Sequence, residues 1–164
     1  MVSGLDKNVD ININGGVSTR DDLPFATTHQ VRDACFCLHV QRAARSVARH
    51  YDEALRPLGL TSGQYSLLMS LNRPAPPGMG ETSELLAMDR TTLTANLKPL
   101  ERRGLVKVLV DKADKRGRRL RLTAAGRALL VEAVPLWKRV QAAVARRLAN
   151  SSPDRLRADL RALS

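Results

Sequence analysis

Residues 89–104 constrain the fold more than any other stretch. Asp89 offers a carboxylate to the orphan N–H groups of a following helix, and Gly104 stands where a left-handed residue closes one. Between them Leu93, Leu97 and Leu100 recur at helical spacing, which leaves Thr91, Ala95, Lys98 and Arg102 on the opposite side and Thr94 on its margin. A short helix through Leu85 and Leu86, capped by Thr82 or Ser83, precedes it across a turn at Ala87 and Met88. After Gly104, residues 105–110 are β-rich, residues 119–122 alternate apolar with basic, and a cation-loaded loop separates them. The order is helix, turn, helix, strand, basic loop, strand.

Charge gives this unit a purpose. Between positions 90 and 123 eleven lysines and arginines stand against three acids, so the window carries +8 of the chain's +11. A patch so localised fits a polyanion. The exposed side of the helix is small, polar and cationic, which suits a major groove: Arg90, Thr91, Thr92, Thr94, Ala95, Lys98 and Arg102 form the candidate recognition set. Lys112, Asp114, Lys115, Arg116 and Arg118 form the candidate set on the hairpin. A charge run by itself reads as a solvated loop; directly after a helix-turn-helix it reads as a wing that straddles phosphates. Pro99 lies inside the helix, where its missing N–H and its ring should disturb the bond to Ala95 and kink the axis while the first two turns still dock.

The rest of the chain supplies a scaffold. With 164 residues, 43% hydrophobic and only 3% aromatic, it can build one ordinary core of Leu, Val and Ala in an α-rich fold. Apolar runs are too short to span a bilayer and no secretory leader opens the chain, so the expected location is the cytoplasm, with no membrane partner. No nucleophile and base stand at suggestive spacing, no glycine loop cradles phosphate, and no complete metal set exists; the expectation is no enzyme and no cofactor.

Residues 1–27 show no sustained period and read as a flexible tail. One long helix is expected from Thr28 or His29 to about Leu55, ended by Pro57 and Gly59. In such a helix Cys35 and Cys37 point to nearly opposite faces and are badly placed to bond to each other; they remain a candidate redox sensor. Cys35 and His39 share a face and could give two soft metal ligands, but a closed site needs others. Thr61 or Ser62 caps a helix reaching about Asn72, and the prolines at 74, 76 and 77 force a loop. Thr123 caps a helix through Leu148, kinked at Pro135, whose broad apolar side exceeds what one small domain buries. Ser151 or Ser152 with Pro153 starts a last helix carrying Leu156, Leu160 and Leu163, spaced to dock on a second subunit. The expected plan is α+β, mainly helical with a small hairpin wing: a tail (1–27), a helical dimerisation region (28–57 and 124–164) and a winged helix-turn-helix (58–123).

Five short motifs, in this order and spacing, carry a resemblance: Leu60-Thr61-Ser62-Gly63-Gln64; Met88-Asp89-Arg90-Thr91-Thr92-Leu93-Thr94; Leu100-Glu101-Arg102-Arg103-Gly104-Leu105-Val106; Asp111-Lys112-Ala113-Asp114-Lys115-Arg116; and Leu122-Thr123-Ala124-Ala125-Gly126. Over about residues 30–148 the chain resembles the MarR family of winged helix-turn-helix transcription regulators. The resemblance implies a homodimer on pseudo-palindromic double-stranded DNA, usually a repressor, often released by a small phenolic or other inducer or by thiol oxidation. It also implies that the helix over residues 90–103 is the recognition helix, that Asp114 orders the wing, and that Arg116 at its base or Arg118 nearer its tip enters the minor groove. Ala95 departs from the pattern, since many members carry a larger polar or basic residue there. The alternative from another class is a basic interaction module that binds an acidic protein or RNA and regulates no promoter.

Overall fold

The computed structural model describes residues 9–11, 17–19 and 23–163. The element order is β1 (Val9–Ile11), β2 (Val17–Thr19), α1 (Phe25–Ala34), α2 (Phe36–Leu55), α3 (Ser62–Ser70), α4 (Met79–Leu85), α5 (Arg90–Arg102), β3 (Val106–Val110), β4 (Arg118–Leu122), α6 (Ala124–Ala145) and α7 (Pro153–Ala162), with a 3-10 turn at Arg56–Leu58. The chain divides into two compact units, Met1–Ala44 and Arg45–Ser164.

In the first unit, β1 and β2 pair antiparallel with Val9 opposite Thr19. The tail expected over residues 1–27 falls partly on residues outside those described; within them it holds this pair and the start of α1, which begins at Phe25 rather than at 28 or 29. The single long helix is corrected to two. Cys35 takes an extended conformation (ψ 107°) between α1 and α2, and its sulfur accepts from the N–H of Leu38 at 3.5 Å, so it caps α2 instead of continuing α1. The argument that one helix holds Cys35 and Cys37 on opposite faces therefore falls away.

The second unit holds a core built mainly of leucines: Leu55 of α2, Leu67 and Leu68 of α3, Leu93 and Leu100 of α5 and Leu120 of β4 are fully buried. Each contributes about 1.5–3 kcal/mol by leaving water. Thr61 caps α3 in a reciprocal box with Gln64, and Asp52 accepts from the N–H of Ser62 at 2.6 Å, so the first turn is well satisfied. Gly59, left-handed at φ 62°, closes the preceding 3-10 turn. The helix α4 starts at Met79 behind an N-cap at Gly78, earlier than expected. Thr82 is inside it, buried, with its hydroxyl donating to the Gly78 carbonyl at 2.8 Å, so it caps nothing. Ser83 donates to the Met88 carbonyl and steadies the turn into α5.

In the hairpin, Val106 opposes Leu122 and Val110 opposes Arg118. Pro77 is fully buried, its carbonyl accepts from the N–H of Leu120 at 2.9 Å, and Gly78 bridges Arg119. The proline loop thus acts as a third, very short strand along β4. Gly126 in α6 lies so near the Leu105 carbonyl that an added Cβ would stand 2.3 Å from that oxygen. Tyr51 of α2 donates to Gln141 of α6 at 2.5 Å, and Thr123, Ser152 and Asp89 cap their helices as the sequence indicates. Pro135 and Pro99 both lie inside continuous helices.

Candidate nucleic-acid interface

The helix α5 is fixed from both ends and from below. Asp89 accepts from the N–H of Thr92 at 2.7 Å and from its hydroxyl at 2.8 Å; the backbone bond first, then the hydroxyl, holds the Asp89 carboxyl below the usual carboxylate range. Gly104, at φ 69°, ends the helix, while Leu93, Leu97 and Leu100 are buried beneath it. These anchors leave Arg90, Thr91, Ala95, Lys98 and Arg102 exposed and Thr94 half-buried. Arg90, Thr91, Thr94, Ala95 and Lys98 line a hollow of about 370 Å³. Among the described residues, the side chains of Arg90, Lys98 and Arg102 have no hydrogen-bond or ion-pair partner, so their charge is available to a ligand. Two threonines of the expected set have committed hydroxyls: Thr92 donates to Asp89 in the cap and Thr94 donates to the Arg90 carbonyl. Arg103 is structural as well: it donates to the carbonyls of Gly59 at 2.6 Å and Leu58 at 2.9 Å.

On the wing, the strand bounds put the tip at residues 111–117. This corrects the expected placement of one arginine: Arg116 belongs to the tip and not the base, while Arg118 opens β4 where the ladder meets the tip, opposite Val110. The guanidinium of Arg118 folds back to donate to the Lys115 carbonyl at 3.0 Å and the Gly117 carbonyl at 2.9 Å. Asp114 accepts from the N–H of Arg116 at 2.9 Å, which shapes the turn and leaves the side chains of Lys112, Lys115 and Arg116 without a partner among the described residues. Arg119 ties the base together, pairing with Asp111 at 2.7 Å and donating to the Pro76 carbonyl at 3.2 Å. The Ala113 N–H first, then Arg119, keeps the Asp111 carboxyl below its ordinary range.

Two cations missing from the expected set are Lys107 and Arg121. They stand directly opposite each other in the hairpin register, both exposed, and like charges so placed repel. Their alternation along the strands was the available signal: both fall on the outward positions of a half-buried hairpin.

Two further places bear on regulation. A mostly apolar hollow of about 660 Å³ among α3, α4 and α6 is lined by Tyr65, Met69, Leu85, Leu86, Val134 and Trp137, residues too far apart in sequence to be grouped by spacing. Burial raises the Tyr65 phenol above its usual range, so at neutral pH it keeps its O–H proton. In the first unit Cys35 is half-buried and Cys37 exposed, with Gln41 donating to the Cys37 sulfur at 3.3 Å; both thiols are free. His39 lies 3.2 Å from the Asp33 carbonyl, and among the described residues no group of three or more metal-ligating side chains forms.

The comparisons with known proteins agree with this geometry. A family model described as MarR family matches residues 60–117. The transcriptional repressor NicR of Pseudomonas putida is 30% identical over 122 residues, 73% of each chain. The transcriptional regulator MosR of M. tuberculosis, solved in complex with DNA, is 43% identical over 79% of this chain and 92% of its own, with a TM-score of 0.71. A probable transcriptional regulator from Pseudomonas aeruginosa shows 25% identity and a TM-score of 0.72 over 80% of this chain and 98% of its own. The capped and leucine-anchored α5, the tied wing and these likenesses converge: the chain belongs to the MarR family of winged helix-turn-helix transcription regulators.

Proposed function

We propose that the protein is a cytoplasmic, homodimeric repressor that holds a pseudo-palindromic operator through α5 in the major groove and the wing in the minor groove. The observation that carries this is the set of unpartnered cations, Arg90, Lys98 and Arg102 on α5 and Lys112, Lys115 and Arg116 on the wing, mounted on elements that are otherwise fully tied down. Preorganised charge of this kind matches phosphates at fixed spacing. Arg116, free at the tip, is the better candidate for the minor groove than Arg118, whose guanidinium holds the turn. Exposed apolar side chains support a second subunit: Val131 on α6, Leu160 on α7 and Leu163 at its end are 69%, 44% and 71% exposed. With one recognition helix per subunit, the half-sites would lie about one helical turn apart.

Two signals could release the DNA. The 660 Å³ hollow touches α4, the first helix of the helix-turn-helix, and its apolar walls with the Tyr65 hydroxyl suit a small aromatic inducer. A ligand there would act only by binding one spacing of the recognition helices better than another. The second signal is oxidation of Cys35 or Cys37 at the break before α2. Were Cys35→Ser and Cys37→Ser proteins to lose DNA on peroxide treatment as the parent does, the thiols would not be the sensor.

The primary test is selection from a pool of random duplexes, followed by a salt titration of the winning sequence. An inverted repeat and a steep fall of log K with log salt, about 0.9 per phosphate contacted, are expected. Enrichment of no repeat, with a shallow slope, would favour the interaction-module alternative.

A further inference from the structure

The hollow over α5 has a chemistry of its own. Ala95 presents a bare methyl there, exposed, with Arg90 and Lys98 at the hollow's edges. The neighbouring polar groups are largely committed. The Thr94 hydroxyl donates its one proton to the Arg90 carbonyl at 2.7 Å, so toward a ligand its oxygen can only accept. Thr92 gives its hydroxyl proton to Asp89, and Asn96 donates to the Thr92 carbonyl at 2.9 Å. What α5 offers at its middle is therefore a methyl-lined space with cations around it and two hydroxyls beside it. The Thr94 oxygen is an acceptor only, whereas the exposed Thr91 hydroxyl has no partner among the described residues and can donate or accept.

Among the groups that DNA displays in the major groove, the apolar one is the thymine 5-methyl, and the groups that seek an acceptor are the exocyclic amines of adenine and cytosine. We propose that Ala95 reads a thymine methyl in this hollow, with the Thr94 oxygen accepting from an amine next to it, so that each half-site requires an A·T pair at this position. The inference rests on the reading of the protein as a duplex-DNA regulator and adds what the middle of its recognition helix selects. Arg90 and Lys98 supply the complementary charge that brings the duplex to this face and no other occupant is needed. A long polar side chain at 95 would fill the space and read by hydrogen bonds; the small one reads by fit.

The experiment uses the full chain and the operator found by random selection. Each thymine is replaced in turn by uracil, which removes the methyl and keeps the pairing, and binding is followed by fluorescence anisotropy at fixed salt. One position per half-site should weaken binding about fourfold, and the double replacement about fifteenfold, the factors expected for one and two methyl groups returned to water. In Ala95→Gly and Ala95→Gln proteins with unchanged salt slopes, the thymine-to-uracil ratio at that position should fall toward one. The unchanged slope shows that the fold and the phosphate contacts survive. Sequence-selective binding with no uracil effect, or an effect identical in parent and variants, overturns the inference and leaves the regulator reading standing. Failure to bind any duplex removes both.

Discussion

Single residues decide how firmly α4, α5 and the wing are held. Ala87, in the turn between α4 and α5, sits at φ 48°, a left-handed conformation that costs an L-residue roughly 1–2 kcal/mol and glycine almost nothing. Ala87→Gly should therefore stabilise the protein by about 0.5–1 kcal/mol in urea titrations, after allowing for the greater freedom glycine gains when unfolded. A loss of stability would mean that the Ala87 methyl makes contacts outweighing the strain. Asp89 and Asp111 act through charge. Their folded carboxyls are depressed, so what they contribute is fully present above the ordinary carboxylate range near pH ~4 and disappears as pH falls through their lower folded values. The melting difference between the parent and an Asp111→Asn protein should hold steady from about pH 7 to 5 and close below about pH 4. A difference that closes near neutrality instead would mean that some other group carries it.

At the scale of elements, the half-buried Pro99 and the buried Gly126 make opposite demands. Pro99 removes the N–H that would bond to the Ala95 carbonyl, yet α5 stays continuous to Arg102. Replacing it with alanine should raise stability by about 1–3 kcal/mol, read from chemical denaturation, with base selection changing at most slightly. Gly126→Ala should do the reverse and cost more than about 2 kcal/mol, because its Cβ meets the Leu105 backbone, which cannot swing aside. A melting temperature equal to the parent's would show that α6 can shift without loss. These elements also show what the amino acids reveal unaided. Helices with a polar cap at one end and glycine or proline at the other were legible, as Asp89, Gly104, Thr123 and Ser152 demonstrate. The exposed side of α5 was legible for the same reason, since three leucines fix its rotation. The break at Cys35 was not, because neither glycine nor proline marks it and a thiol is an uncommon cap. Thr82 misled in the other direction, its hydroxyl turned back to the Gly78 carbonyl. The roles of Arg103, Arg118 and Arg119 needed coordinates too: from sequence every arginine in the patch is equivalent, whereas three of them hold backbone carbonyls.

For the whole molecule, the test of assembly is direct. If Leu160 and Leu163 face a second subunit, Leu160→Glu with Leu163→Glu should shift sedimentation from dimer to monomer and weaken operator binding at least tenfold, since each half-site would then be held alone. A parent that sediments as a monomer would remove the basis for paired half-sites. Charge adds a consequence that reaches beyond the interface. Lys107 and Arg121 face each other across the hairpin in a chain of net charge +11, so the unliganded wing is under mutual repulsion that a nearby phosphate would relieve. Added electrolyte should consequently do two contrary things at once: shield the empty wing, raising its melting temperature, and compete for the nucleic acid, loosening the complex.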